Sequence, residues 1–380
     1  MKEVYINKVA AFLPNEVVEN HEMENYLGFV NGSPSRAKPI VLRNNGIKER
    51  YYAITKEGKS THTNAEMTAL AIRSLFNGNK TDIESVDLLC CGTSSPDQWM
   101  PSHAVMVHGL LPETSNIEVV SPAGVCCSGM HAFKYAYMAL KIGDKQKAIS
   151  TGSERIAVAL KAENYNEEVA ELSNLEGNPY LAFEKDFLRW MLSDGAGAFL
   201  LETERNPNGI SLRVDWIDGC SYAHMVEPCM YMASDKLSNG ELISYKDHDV
   251  KEWTSKSLLS IKQDVKLLSK NIIRLGFDKL SEILERRNRN VDELTYFLPH
   301  LSSFFFEKPI EEILQENNME IPKEKWFTNL ATKGNVGSGS IYLMVEELFN
   351  SGRLKKGDQL LLAIPESSRF SYVFCWLTVC

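Results

Sequence analysis

The sequence has no long uninterrupted apolar run. A membrane-crossing helix needs about 20 apolar residues in succession, so no membrane span is predicted. The opening residues, Met1 to Asn7, read as a strand and lack the apolar centre of a secretory leader. A soluble, cytoplasmic protein is expected. Positive charge is not in excess: 41 Lys and Arg against 50 Asp and Glu give a net charge of −9. A nucleic-acid binder needs a basic footprint, so no nucleic-acid partner is expected. The eight cysteines include no C-x-x-C. Two adjacent pairs, Cys90-Cys91 and Cys126-Cys127, suit neither zinc ligation nor a disulfide framework. A G-x-G-x-x-G dinucleotide fingerprint is also missing. No metal or redox cofactor is therefore expected, and low-complexity tracts and short repeats are absent.

What remains is an ordinary globular composition, with 44% hydrophobic and 24% charged residues over 380 positions. Strands and helices alternate along the chain. Val4 to Phe12, Val86 to Cys91, Ile117 to Val120 and Ala148 to Ser153 read as strands. Thr61 to Phe76, Ser102 to Leu111 and Ser128 to Ile142 read as helices, the last apolar nearly all round and so predicted to be buried. Further on, 252–276 reads as one long helix, Glu293 to Leu298 as a strand, and 302–317 and 338–350 as helices. Leu360 to Ile364 and Phe370 to Val379 close the chain as strands. This alternation predicts an α/β fold. It divides into a first half over 1–217, an irregular insertion over 218–250 and a second half over 251–380. A weak echo links the halves: Cys127-Ser128-Gly129 opens one helix and Gly337-Ser338-Gly339 another.

The chemistry gathers at three places. Val119 to Met130 runs from a strand through Cys126-Cys127 into the apolar helix, which sets Cys127 at a helix N-terminus. Free N–H groups and the dipole there favour a thiolate, the attacking form of cysteine. Gly129 is expected to let a second segment approach closely. Pro299-His300 ends a strand in the second half, and Gly334-Asn335 sits in a loop before a helix. Each alone is commonplace: a buried thiol, a structural histidine, a turn. Together, at matching strand ends, they form a specific set.

Gly46-Ile47-Lys48-Glu49-Arg50, Val125-Cys126-Cys127-Ser128-Gly129, Ser193 to Ala198, Pro299-His300 and Gly334-Asn335 resemble, in order and spacing, the landmarks of β-ketoacyl-carrier-protein synthase III. The resemblance runs from about residue 3 to 379. It implies a thiolase fold, with two similar α/β halves in a five-layered α-β-α-β-α arrangement, and a homodimer. It implies Cys127 as nucleophile, since that residue precedes a small residue and glycine, with His300 and Asn335 as hydrogen-bond donors to a thioester oxygen. Backbone N–H groups of Cys127 and Ser368 would form the oxyanion hole of the acyl-cysteine. Trp99 and Met100 would reach into the partner subunit's acyl pocket. Lys256, Lys262, Lys266, Lys270 and Arg274, spaced along one helix face, would dock an acidic acyl carrier protein, although a solvated face is the commoner explanation of such a stripe. Substrates would be acyl thioesters on carrier protein or coenzyme A, condensed in fatty-acid or aryl-polyene and dialkylresorcinol-type biosynthesis.

Three departures qualify the resemblance. The polar run after the histidine is here Leu301-Ser302-Ser303-Phe304-Phe305-Phe306. The C-terminal glycine-rich loop is Pro365-Glu366-Ser367-Ser368-Arg369-Phe370. Asn44-Asn45 precede Gly46 where a coenzyme A contact is expected. These features are similar to the branch that makes cyclohexanediones on the way to dialkylresorcinols. That reaction needs an extra base, and Glu154 is the candidate if it is more than a structural carboxylate. An acyltransferase forming an ester or amide is the principal alternative. A cysteine hydrolase and a catalytically inert partner subunit fit less well.

Overall fold

A computed structural model describes residues 1–77, 80–165 and 188–380. Nine strands form one sheet: β1 Tyr5–Phe12, β2 Leu88–Gly92, β3 Glu118–Val120, β4 Lys147–Glu154, β5 Gly195–Glu202, β6 Leu212–Ser221, β7 Tyr296–Pro299, β8 Gln359–Glu366 and β9 Ser371–Val379. Their spatial order is β7-β8-β9-β6-β1-β5-β4-β2-β3. Two runs within this order repeat the same directions. β2 pairs parallel with β4, β4 antiparallel with β5, and β5 antiparallel with β1. Likewise β7 pairs parallel with β8, β8 antiparallel with β9, and β9 antiparallel with β6. The pairs Tyr5↔Arg213 and Ile6↔Leu212 join the runs, with the Val214 N–H donating to the Val4 carbonyl beside them.

The helices that matter are α1 Asn64–Ser74, α2 His103–Gly109, α3 Ser128–Ile142, α4 Val265–Arg287, α5 Glu307–Glu316 and α6 Ser340–Asn350. Strand alternation decides where they pack. On β8, Leu360, Leu362 and Ile364 join α3 and α6 in one apolar core, together with Leu88 and Leu201 from the other run. Leu361 and Ala363 point the other way, to α4 and α5. On the first run, Leu89, Ile149 and Leu200 pack against α1 and α2. The layers are thus α1/α2, strands, α3/α6, strands, α4/α5, the five-layered fold expected. α3 spans the predicted residues and is buried along most of its length, as its apolar circumference required.

One predicted element is corrected. Residues 252–276 are not a single helix. A short helix, Val250–Ser255, stops before Ser257, whose φ is +46°. Lys262–Gln263 then pair as a strand with Met230–Tyr231. α4 begins afterwards, where the Asp264 side chain accepts the Leu267 N–H at 2.9 Å. A helical apolar period runs through this break, and only the aspartate cap marks the true start.

Candidate active site

α3 and α6 begin side by side, and their first turns touch through backbone. A Cβ on Gly129 would lie 2.5 Å from the Ser338 carbonyl, and one on Gly152 2.2 Å from it. The expected close approach at Gly129 is therefore real, and its partner is the echoing Ser338 turn of the other half. The Tyr342 hydroxyl reinforces the crossing by donating to the Gly129 carbonyl at 2.8 Å.

Cys127 is the N-cap residue of α3. Its expected surroundings are only partly present. The Cys127 N–H is already occupied: the Glu366 Oε2 accepts it at 2.9 Å and accepts the Val125 N–H at the same distance. The Cys127 Sγ is wholly buried and donates to the Ile364 carbonyl at 3.4 Å, beside Leu298 and Val373. Burial first, and the Glu366 charge second, push this thiol well above the ordinary cysteine range. In this arrangement burial and the Glu366 charge work against the thiolate that the helix terminus was expected to favour.

Cys126 faces the other way. Two cavities meet at Cys126, Leu268, Ser302 and Ser367. The larger, about 110 Å³, carries His300 near its mouth; the smaller, about 50 Å³, carries Asn335 and Glu154. The Cys126 thiol is also pushed up, by burial and then by Glu366 and Glu154.

His300 follows β7 and is held by its N–H to the Ala363 carbonyl at 2.8 Å. Among the described residues its buried Nε2 finds no partner. Burial lowers its pKa to about 4, so the imidazole is neutral at pH 7 and keeps one donor nitrogen. Asn335 is fixed at both ends of its peptide: its N–H goes to the Met191 carbonyl at 3.1 Å, and its own carbonyl accepts from Ser193 at 2.9 Å. Its side-chain Oδ1 accepts the Gly337 N–H at 2.9 Å. That bond orients the amide and leaves the NH₂ group as the one available to a ligand. Gly334 and Gly337, at φ +70° and +49°, allow this turn.

Glu154 ends β4. Its carboxylate accepts from the Ser94 and Ser95 hydroxyls at 2.7 and 2.6 Å, and from the Ser94 and Ser338 N–H groups at 3.1 and 3.2 Å. Burial raises its pKa, against the pull of these donors. The residue buttresses the Ser338 turn and borders the smaller cavity, so both readings of it stand on observed contacts. Asp194 is architectural: its carboxylate takes the Ala53, Ile156 and Ala157 N–H groups at 2.7, 2.6 and 2.9 Å.

The remaining expected residues lie apart. Ser368 is tied down, its carbonyl accepting from Cys229 and Met230 and its hydroxyl donating to Glu366. Trp99 and Met100 are on the surface, at 71% and 86% exposure, with Trp99 against the Tyr245 ring. They line neither cavity of their own chain. The basic face is shorter than expected. Lys262 is buried and donates to the Ser234 carbonyl at 2.9 Å, and Lys256 caps the end of the preceding short helix, paired with Glu252. Lys266, Lys270 and Arg274 remain exposed on α4, with Arg274 paired to Asp278. Sequence reasoning missed Glu366. The signal was present, since Glu366 stands in the loop where the resemblance implied a glycine-rich one.

Two α/β halves, with the first turns of their inner helices in contact and five layers in all, define the thiolase fold. Solved structures agree along the whole chain. AbyA1, a tetronic acid condensing enzyme, covers 99% of both chains with a TM-score of 0.74 at 20% identity. Xanthomonas campestris OleA, crystallised with lauric acid and lauroyl-CoA, also covers 99% of both, with a TM-score of 0.74 at 18% identity. Residues 284–364 match the family model described as 3-oxoacyl-[acyl-carrier-protein] synthase III C terminal. The β-ketoacyl-[acyl-carrier-protein] synthase III of Clostridium perfringens is 22% identical over 365 residues, 95% of each chain. That of Campylobacter curvus is 23% identical over 368 residues, 95% of this chain and 93% of its own. The chain thus has the thiolase fold and is similar along nearly its whole length to synthase III enzymes.

Proposed function

We propose that this protein is a ketosynthase that condenses acyl thioesters through an acyl-cysteine, with Cys127, His300 and Asn335 as its catalytic residues. The Cys127 sulfur attacks an acyl thioester, the carrier thiol leaves with the proton, and a new thioester forms on the enzyme. A second thioester then becomes an enolate, by loss of carbon dioxide or of an α-proton. Its carbon attacks the acyl-cysteine carbonyl and the cysteine thiolate leaves. His300 and Asn335 donate to the enolate oxygen as charge develops there, and each such donor is worth about 10²–10³ in rate. The observation that carries this reading is the pair of neutral donors. Among the described residues the His300 Nε2 has no partner, the Asn335 amide is turned by Gly337, and both border cavities that meet at the cysteine turn.

A second reading of the nucleophile rests on one observation: Cys126, not Cys127, lines both cavities. Cys127 would take the role only with its side chain turned from the Ile364 carbonyl. For the cyclohexanedione branch, Glu154 is the base that removes the α-proton. Its raised pKa and its place on the smaller cavity support that role. The acyl group arrives on an acyl carrier protein or coenzyme A, and the enzyme works as a homodimer in the cytoplasm.

Intact-protein mass after incubation with acyl and β-ketoacyl thioesters tests the assignment. An adduct lost only in Cys127→Ser supports Cys127, and loss only in Cys126→Ser transfers the role. No adduct on wild type removes the condensing reading. An adduct discharged only to an alcohol or amine favours the ester- or amide-forming alternative.

A further inference from the structure

Glu366 stands at the end of β8, where strand alternation divides its neighbours. Pro365 and Ser367 line the larger cavity, whereas Ile364 packs in the core with α3 and α6. Glu366 shares the Ile364 side and is buried there. Its carboxylate meets the turn before α3 at two points. Oε2 accepts the Val125 N–H and the Cys127 N–H, each at 2.9 Å. These donors flank Cys126, so a single oxygen grips the backbone of the turn across that residue. The other oxygen, Oε1, accepts the Ser368 hydroxyl at 2.6 Å, which fixes the carboxylate from behind. Ser128 closes the turn, its N–H and its hydroxyl both donating to the Val125 carbonyl, at 3.0 and 2.7 Å. With the backbone held in this way, the Cys126 side chain lines both cavities. The Cys127 Sγ lies on the β8 side, against the Ile364 carbonyl at 3.4 Å. Hydrogen bonds to an ionised acceptor are the strong ones, and here one such acceptor holds both sides of the cavity-facing thiol.

We propose that Glu366 is a positioning residue that selects the reacting thiol: gripping the turn at Val125 and Cys127, it presents Cys126 to the cavities and withholds Cys127. Release of the carboxylate frees the turn and lets Cys127 take the cavity side. Which thiol is presented follows from these contacts; that the presented thiol carries an acyl group rests on the condensing reading. The role requires reach rather than charge. Glu366→Gln keeps an acceptor oxygen at the same reach without the charge. Glu366→Asp keeps the charge on a stem one carbon shorter, which falls short of the two N–H groups from an unmoved β8.

The test follows partial alkylation by iodoacetamide in wild type, Glu366→Gln, Glu366→Asp and Glu366→Ala. Tandem mass fragmentation between Cys126 and Cys127 gives the rate at each thiol. Wild type and Glu366→Gln are expected to react at Cys126 in excess. In Glu366→Asp and Glu366→Ala the ratio of Cys126 to Cys127 is expected to fall about tenfold, the factor carried by one bond to a charged group, with Cys127 gaining as Cys126 loses. Wild type reacting mainly at Cys127, or a wild-type ratio in Glu366→Asp and Glu366→Ala, overturns the proposal. So does an equal rise at both thiols, which reports a loosened structure. Should Glu366→Ala fail to melt as a folded protein, the contrast of Glu366→Gln with Glu366→Asp decides. The same proteins are then given decanoyl-CoA. Wild type alkylated at Cys126 that accepts no acyl group loses the condensing reading and keeps the selector. An acyl adduct on wild type, with one alkylation ratio in all the variants, keeps the condensing reading and loses the selector.

Discussion

The Glu366 carboxylate is bonded to the backbone of Cys127, with Oε2 2.9 Å from the Cys127 nitrogen. The same oxygen takes the Val125 N–H. The Cys127 N–H proposed for the oxyanion hole is thus filled by a side chain of the C-terminal loop. That proposed role needs the carboxylate to give way, and its charge opposes formation of either thiolate.

Removing the charge makes the thiols more acidic. In Glu366→Gln the pH profile of alkylation by iodoacetamide, followed by mass at the 126–127 peptide, is expected to move to lower pH. An unmoved profile would mean that Glu366 does not act on the cysteines.

The two donors separate acylation from condensation. His300→Ala and Asn335→Ala are each expected to lower the condensation rate about 10²–10³-fold while the acyl adduct still forms. Because burial holds His300 at about 4, the wild-type rate shows no inflection near 6.5 that His300→Ala removes. Equal loss of adduct and product in both variants would assign these residues to acylation instead.

The backbone crossing tolerates no side chain. Gly152→Ala drives a methyl to 2.2 Å from the Ser338 carbonyl, and overpacking of this kind costs about 1–3 kcal/mol or more. Gly109, the last residue of α2, has nothing within 4 Å, so Gly109→Ala is expected to stabilise by about 0.4–1 kcal/mol. Urea unfolding of both variants measures the contrast, and similar midpoints would sink it.

Asp194 makes stability depend on pH. Burial raises its pKa from 3.8 to about 6 despite three backbone donors. Its protonated form is favoured more in the folded chain than in the unfolded one. The resulting stabilisation is full below pH 3.8 and lost as pH rises through about 6. Asp194→Asn loses this dependence and sets an NH₂ group against the N–H donors, at a cost of about 1–3 kcal/mol. The stability gap between wild type and variant is expected to narrow from pH 4 to 7; a constant gap would contradict it.

The layers were legible because periodicity carries them. Leu360 to Ile364 and Ser128 to Ile142 announce a buried strand and a buried helix, and both are present. The two-half plan was also legible, through the echo of Ser128-Gly129 in Ser338-Gly339. What the sequence hid is direction. Nothing in Cys126-Cys127 says which thiol faces a cavity, because adjacent residues in a turn point apart by an angle set only in the folded chain. Lys262 was misplaced for a related reason: its spacing fits the α4 face, but the chain is still a strand there and aims the ammonium at Ser234. Glu366 makes its contacts across 239 residues, to Cys127, a separation no local pattern reports.

The Gly129, Gly152 and Ser338 contact also governs how the enzyme moves. Where a Cβ has no room, two backbones have no room to slide. The two first turns are therefore keyed together at the cysteine turn, with no gap between them for either to slide into. Accommodation of a substrate falls to the outer elements, α4 with α5 and the 222–263 segment whose Met230 and Ile261 border the smaller cavity. The reacting atoms are held by a frame that stays still, and selectivity can be retuned in those outer elements without disturbing it.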